Sequence, residues 1–203
     1  MYETFFGFKE KPFSLTPDPK YFYPSRAHRE AVDHLLYVIR EREGFIVITG
    51  GVGTGKTTLC RAMLLQLEPG TTTAVILNPI LSEDELLRAI LLDFGLTAAG
   101  ATKNDLIAEL NEFLLQTIVA GRRAVLIIDE AQNLSLGLLE QIRLLSNLET
   151  ERDKLIQIVL VGQVGLLKQL ASPELEQLNQ RVSVRYHLNA LSFEETCQYI
   201  YHR

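Results

Sequence analysis

The sequence predicts a layered α/β domain built on parallel strands, and three observations predict it. A glycine-rich string, GGVGTGKTT at 50–58, directly follows the apolar run FIVIT and precedes a helix-like segment. A second apolar run, AVLII at 124–128, is uninterrupted and ends in two acids, the pattern of a strand buried on both faces. Around both, short strand-like runs alternate with amphipathic segments of helical length along most of the chain.

In chain order, half of the 16 aromatics fall in the first 23 residues beside Pro12, Pro17 and Pro19, so 1–25 reads as an ordered arm that covers an edge of the domain rather than a long helix. A helix is expected at 26–42. The first strand takes the apolar run at 45–50, and the helix at 55–67 opens on the glycine string. A strand at 73–78 leads to a helix at 83–94 whose start carries the capping box Ser82/Glu85. A glycine-bounded loop at 95–100 separates it from a helix at 103–120, which runs into the buried strand at 124–129. A helix at 136–148, a loop at 149–154 and a strand at 156–162 follow, then helices at 165–171 and 174–181 and a strand at 182–188. A second capping box, Ser192/Glu195, opens a last amphipathic helix that is cut off at Arg203, as in a piece of something longer. The expected division is an arm at 1–25, a layered α/β domain at 26–190, and the start of a further helical unit at 191–203.

Composition bounds the function. At 203 residues and 47% apolar content the chain can bury one sizeable core. Its two cysteines, Cys60 and Cys197, have neither metal-ligand nor disulfide-framework spacing and read as small core residues. The N-terminus MYETFFGFKEKPF interleaves charges with aromatics, unlike a signal peptide, and no apolar run reaches the roughly 20 residues of a membrane span. A net charge of −5 and the lack of a basic run argue against nucleic acid as a partner.

The string at 50–57 fits the phosphate-binding pattern G-x-x-x-x-G-K-[ST]. Backbone donors must surround the β and γ phosphates of a nucleotide, and only glycine lets the chain approach so closely. Gly51, Gly53 and Gly55 can take positive φ at little steric cost, and the helix start adds its dipole. Gly51, Val52, Gly53, Thr54, Gly55, Lys56, Thr57 and Thr58 therefore form the expected nucleotide site, with Lys56 on the β/γ oxygens and the Thr57 hydroxyl on Mg²⁺.

Asp129 is expected to emerge at the carboxyl end of its strand, where open α/β sheets bind ligands, and to hold Mg²⁺ through its water shell. Glu130 beside it is placed to orient and deprotonate the water attacking the γ-phosphate, which points to ATP hydrolysis to ADP and phosphate rather than mere binding. Gln163 would sit beside the acid pair if the strands at 124–129 and 156–162 are neighbours, holding that water or reporting the γ-phosphate. Its alternative is a loop hydrogen bond. Arg181, at a helix-to-strand junction, is the favoured arginine for a neighbouring subunit's site, with Arg185 a competitor and a surface salt bridge the alternative. Tyr21, Phe22, Tyr23 or His28 would either wall an adenine pocket or pack on the domain edge.

In this order the features resemble the AAA+ branch of P-loop ATPases. The opening FGFKEKPFSLTPDPKYFYPSRAHREAVDHLLYVI, the loop GGVGTGKTTL, the box IIDEAQNL, the segment LVGQ and QRVSVRYHLNALSFEET resemble more closely the general secretion pathway A group, the ExeA-type ATPases. That resemblance implies a three-layer P-loop fold with a parallel five-stranded sheet in the order 5-1-4-3-2 and a helical lid, here truncated. It implies a homo-oligomer with an arginine supplied in trans, ATP/ADP and Mg²⁺ as ligands, and a cytoplasmic ATPase at the inner-membrane face, anchored through a segment absent from this chain. The implied partners are envelope components: the secretin of type II secretion, or a related polysaccharide-export locus. A DNA-transaction ATPase of the transposition-helper type shares the core motifs and is the alternative.

Overall fold

The computed structural model describes residues 5–7, 23–150 and 154–202. Five strands form one parallel sheet: β1 (Phe45–Gly50), β2 (Thr71–Ile76), β3 (Arg123–Ile128), β4 (Gln157–Gly162) and β5 (Val182–Leu188). Their order is β2-β3-β4-β1-β5, which is the expected 5-1-4-3-2 read from the other edge. Composition explains who sits where. FIVITG, RAVLII and QIVLVG are buried almost throughout and occupy the three central positions, because a strand covered on both faces must be apolar on both. TTTAVI and VSVRYHL carry polar residues and take the edges.

Side-chain alternation along the central strands builds two cores. Ile46, Ile48, Val125, Ile127, Val159 and Val161 face helices α1 (Arg26–Arg40) and α2 (Lys56–Leu64). Val47, Leu126, Ile128, Ile158 and Leu160 face the opposite layer. That layer holds α3 (Glu83–Asp93), α4 (Lys103–Val119), α5 (Leu136–Leu145), α6 (Gly165–Leu170) and α7 (Glu176–Gln180). The result is three layers, helix on sheet on helix.

Local signals account for the helix starts. Ser82/Glu85 forms the expected capping box at α3, and Ser192/Glu195 forms one at α8 (Phe193–His202). A third box, Thr102/Asp105, opens α4 with the shorter acid. The segment expected as one helix at 174–181 is instead a 3₁₀ turn, Pro173–Leu175, followed by α7, with Pro173 in the first turn, where its missing N–H costs nothing. Strand β2 begins at Thr71, two residues before the expected 73, because β-branched threonines suit a half-exposed edge strand. None of the side chains of α8 is buried. Of the expected arm, Pro12, Pro17, Pro19, Tyr21 and Phe22 lie outside the described residues. No helix among those described is long and apolar enough to cross a membrane.

Candidate active site

The order of the strands sets the geometry of the site. The glycine loop leaves the carboxyl end of β1 and the acid pair leaves that of β3, while β4 runs between them, so its end at Gly162 and Gln163 separates the two motifs. Within the loop, Gly53 and Gly55 adopt positive φ, 76° and 88°, and Gly55 caps α2 in the left-handed region. Gly51, expected to share that conformation, does not take positive φ. Gly50 is needed for closeness instead: a Cβ there would lie 2.7 Å from the Leu188 carbonyl and 2.7 Å from Thr54 Oγ1. Lys56 is buried, and its ammonium donates to the Gly50 and Gly51 carbonyls at 3.2 and 2.7 Å, inside the mouth of the loop. Thr54 closes the turn by donating to the Gly51 carbonyl, whereas Val52 projects from it at 85% exposure.

Across β4, the Thr57 hydroxyl donates to Asp129 Oδ2 at 2.6 Å, although 72 residues separate them. Asp129 is buried, and its other oxygen accepts the Glu130 N–H at 2.8 Å. A hydroxyl and a carboxylate in contact are the hard oxygen donors Mg²⁺ takes, so the residues present fit that ion. Glu130 itself stands at φ 51°, ψ 35°, a left-handed conformation that costs a non-glycine residue about 1–2 kcal/mol. Its carbonyl accepts the Asn133 N–H, and its carboxylate accepts from the Gln132 side-chain amide.

Gln132 is the residue that motif reasoning missed. Its Nε2 donates to Glu130, its Oε1 accepts the Gln163 N–H at 2.8 Å, and its carbonyl accepts from Gln169 at 3.1 Å. Both ends of the side-chain amide are thereby assigned, since only one orientation places a donor at a carboxylate and an acceptor at an N–H. The close approach is possible because Gly162 has no side chain: a Cβ there would lie 2.7 Å from Gln132 Oε1. The glycine of LVGQ was the available signal.

The remaining candidates fall in different places. β3 and β4 are neighbours, so Gln163 does follow the strand beside the acid pair. Arg181 donates to Ser146 Oγ at 2.8 Å in its own chain, and Arg185 donates to the carbonyl and side chain of Asn179. Tyr23 lies against α8, its hydroxyl donating to Gln198 and its ring beside Tyr199 and His202. His28 is buried under the loop, with Nε2 3.1 Å from the Thr54 carbonyl. Beneath the loop, burial and the Asp129 charge push the Cys60 thiol up to about 12, only partly opposed by Lys56.

Comparison with known proteins bears on the same residues. The AAA domain family model matches residues 39–170, which include the loop and the acid pair. The chain is 48% identical over 201 residues to general secretion pathway protein A of Aeromonas hydrophila, a match covering 98% of this chain and 37% of that protein. Among solved structures it is similar to the ORC2 protein of Aeropyrum pernix, in complexes with ADPNP and ADP, with a TM-score of 0.70 at 18% identity over 87% of this chain and 51% of that one. It is also similar to a Walker-type ATPase of Pyrococcus abyssi, with a TM-score of 0.61 at 18% identity over 93% of this chain and 60% of that one. At such identities these structures bear on the fold alone.

Proposed function

The chain belongs to the AAA domain family of P-loop ATPases, and from that premise we propose that it hydrolyses Mg²⁺-ATP to drive assembly or remodelling of a bacterial envelope secretion or export system. The observation that carries the chemical part is the Thr57–Asp129 contact at 2.6 Å, with Glu130 next in the chain in its strained turn. Thr57 and Asp129 would hold the Mg²⁺, which when bound neutralises charge on the β and γ phosphate oxygens. Lys56, already inside the loop mouth, exchanges its carbonyl partners for those oxygens. Glu130, oriented by Gln132, accepts the proton of the attacking water, and Gln163 senses the γ-phosphate. Arg181 completes a neighbouring subunit's site in a homo-oligomer. A guanidinium has five N–H donors, so its bond to Ser146 leaves others for a phosphate.

The 48% identity to general secretion pathway protein A supports the envelope part, and the net charge of −5 weighs against a nucleic-acid partner. Because the chain spans 37% of that relative's length, the activity, partners and membrane attachment of the whole protein are part of the proposal. We place residues 26–190 as the ATPase domain on the cytoplasmic side of the inner membrane, 1–25 as its arm and 191–203 as the start of its lid. Two experiments test this. Thr57→Ala and Asp129→Asn are expected to abolish the Mg²⁺ dependence of ATP affinity, and unaltered dependence refutes the metal site. In cells carrying Lys56→Ala, membrane fractions are expected to lack assembled secretin multimers or exported polysaccharide; normal levels of both refute the envelope role.

A further inference from the structure

His28 enters the sequence as a candidate for the adenine pocket, and in the fold one of its ring nitrogens faces the loop itself. Nε2 lies 3.1 Å from the Thr54 carbonyl, and Nδ1 lies 2.7 Å from Ser25 Oγ. A carbonyl can only accept, so Nε2 carries the proton. In the neutral ring Nδ1 is then the acceptor, and Ser25 donates to it. Ser25 is itself fixed as the N-cap of α1, accepting the His28 N–H at 3.3 Å. His28 is 5% exposed, and its charged form is disfavoured first by burial, against the opposing pull of the Thr54 carbonyl and of Glu195 on α8.

The Thr54 carbonyl and the Gly55 N–H belong to one peptide plane and, in a trans peptide, point in opposite directions. Holding the carbonyl against His28 therefore turns the Gly55 N–H the other way, away from His28, as a donor of the glycine loop. The ring also explains why residue 55 is glycine, since a Cβ there would lie 3.0 Å from Nε2 at φ 88°.

The geometry points to His28 as a positioning residue of the phosphate loop: through Nε2–H it clamps the Thr54–Gly55 peptide so that the Gly55 N–H is preset for a nucleotide's phosphates. This rests on the reading of that loop as the phosphate site. The clamp stands at the foot of the arm, His28 lying three residues beyond Ser25 and five beyond Tyr23, and Tyr23 packs on α8.

Titration of the purified chain with the fluorescent nucleotide mant-ADP and Mg²⁺ tests it, alongside melting curves. Glutamine can place its Nε2 near the position of the histidine Nε2 and asparagine cannot, so the two variants separate the Thr54 contact from packing. His28→Ala and His28→Asn are expected to weaken binding about two- to tenfold, the range of one lost hydrogen bond, while His28→Gln restores it. Restoration by glutamine at a melting temperature no higher than that of His28→Asn excludes a merely structural role. Equal affinity for all three variants and the unsubstituted chain, with Lys56→Ala still weakened, overturns the clamp and leaves the phosphate loop standing. A glutamine variant as weak as the alanine one also overturns it, because the ring and not its N–H would then matter. Binding that is absent in the unsubstituted chain, or that is present and unaffected by Lys56→Ala, overturns the phosphate reading itself.

Discussion

Gly162→Ala perturbs the acid pair without touching either carboxylate. Gly162 has no positive φ, so the backbone accepts alanine, and in a strand the change by itself favours the fold by about 0.5–1 kcal/mol. The new Cβ, however, would sit 2.7 Å from Gln132 Oε1, 3.2 Å from Leu166 Cδ2 and 3.3 Å from the Gln132 backbone nitrogen. The backbone has little room to give, so the Gln132 side chain must leave. Its departure strips the Gln163 N–H of its acceptor, at about 1 kcal/mol for a half-buried group, and removes a bond to the Glu130 carboxylate worth about 1.5–3 kcal/mol. Loss therefore outweighs gain by roughly 1.5–3.5 kcal/mol, which for a chain of this length lowers the melting temperature by about 3–14 °C. If the Glu130 bond orients the carboxylate in the transition state, the same 1.5–3 kcal/mol reduces turnover roughly 10- to 100-fold. Scanning calorimetry and steady-state phosphate release by the full-length oligomer measure the two effects, with Gln132→Leu as the matching comparator. A variant that melts higher than the parent and turns over ATP at the parental rate refutes the placement of Gln132 as the holder of Glu130.

Three further outcomes follow from particular residues. Gly53→Ala incurs only the left-handed backbone cost of about 1–2 kcal/mol, while Gly55→Ala adds the displaced His28 contact of about 1 kcal/mol; melting curves that rank Gly53→Ala as the worse contradict this. Burial depresses the His28 pKa in the fold, so between that value and the ordinary 6.5 the unfolded chain binds more protons. Its contribution is present above pH 6.5 and lost as pH falls through the folded value, so His28→Gln is expected to reduce the loss of stability below pH 6.5, and an unchanged pH slope refutes the assignment. Cys60 is buried with its thiol pushed up to about 12, and Cys197 is half-buried on α8, so a thiol reagent near pH 8 is expected to label Cys197 in the native state and Cys60 only on unfolding.

The layered fold was legible because burial on both faces leaves no choice of residue. FIVITG, RAVLII and QIVLVG announce central strands, and GGVGTGKTT and the Asp129–Glu130 pair stand at the strand ends where the sheet gathers ligands. Capping chemistry was equally readable at Ser82 and Ser192, while Thr102/Asp105 closes its box with an acid one methylene shorter than the usual Glu or Gln. What could not be read depends on pairing across space. Gln132 looks like any polar residue after a strand until β4 is laid beside β3 and Gly162 lets its side chain in. His28 and Tyr23 lie close together in the arm and first helix, yet one turns to the loop and the other to α8, a divergence set by tertiary packing. The bonds of Arg181 and Arg185 within their own chain likewise depend on where α5 and α7 come to lie, which no local pattern encodes.

The central claim is that loop and acid pair form one site in which Glu130 activates water on Mg²⁺-ATP. Its most direct test is the identity of the nucleotide retained by full-length Glu130→Gln protein after incubation with Mg²⁺-ATP, read by chromatography of the released ligand. ATP on the variant and ADP on the parent, at comparable binding, are the expected result. ADP formed on the variant at the parental rate would contradict it.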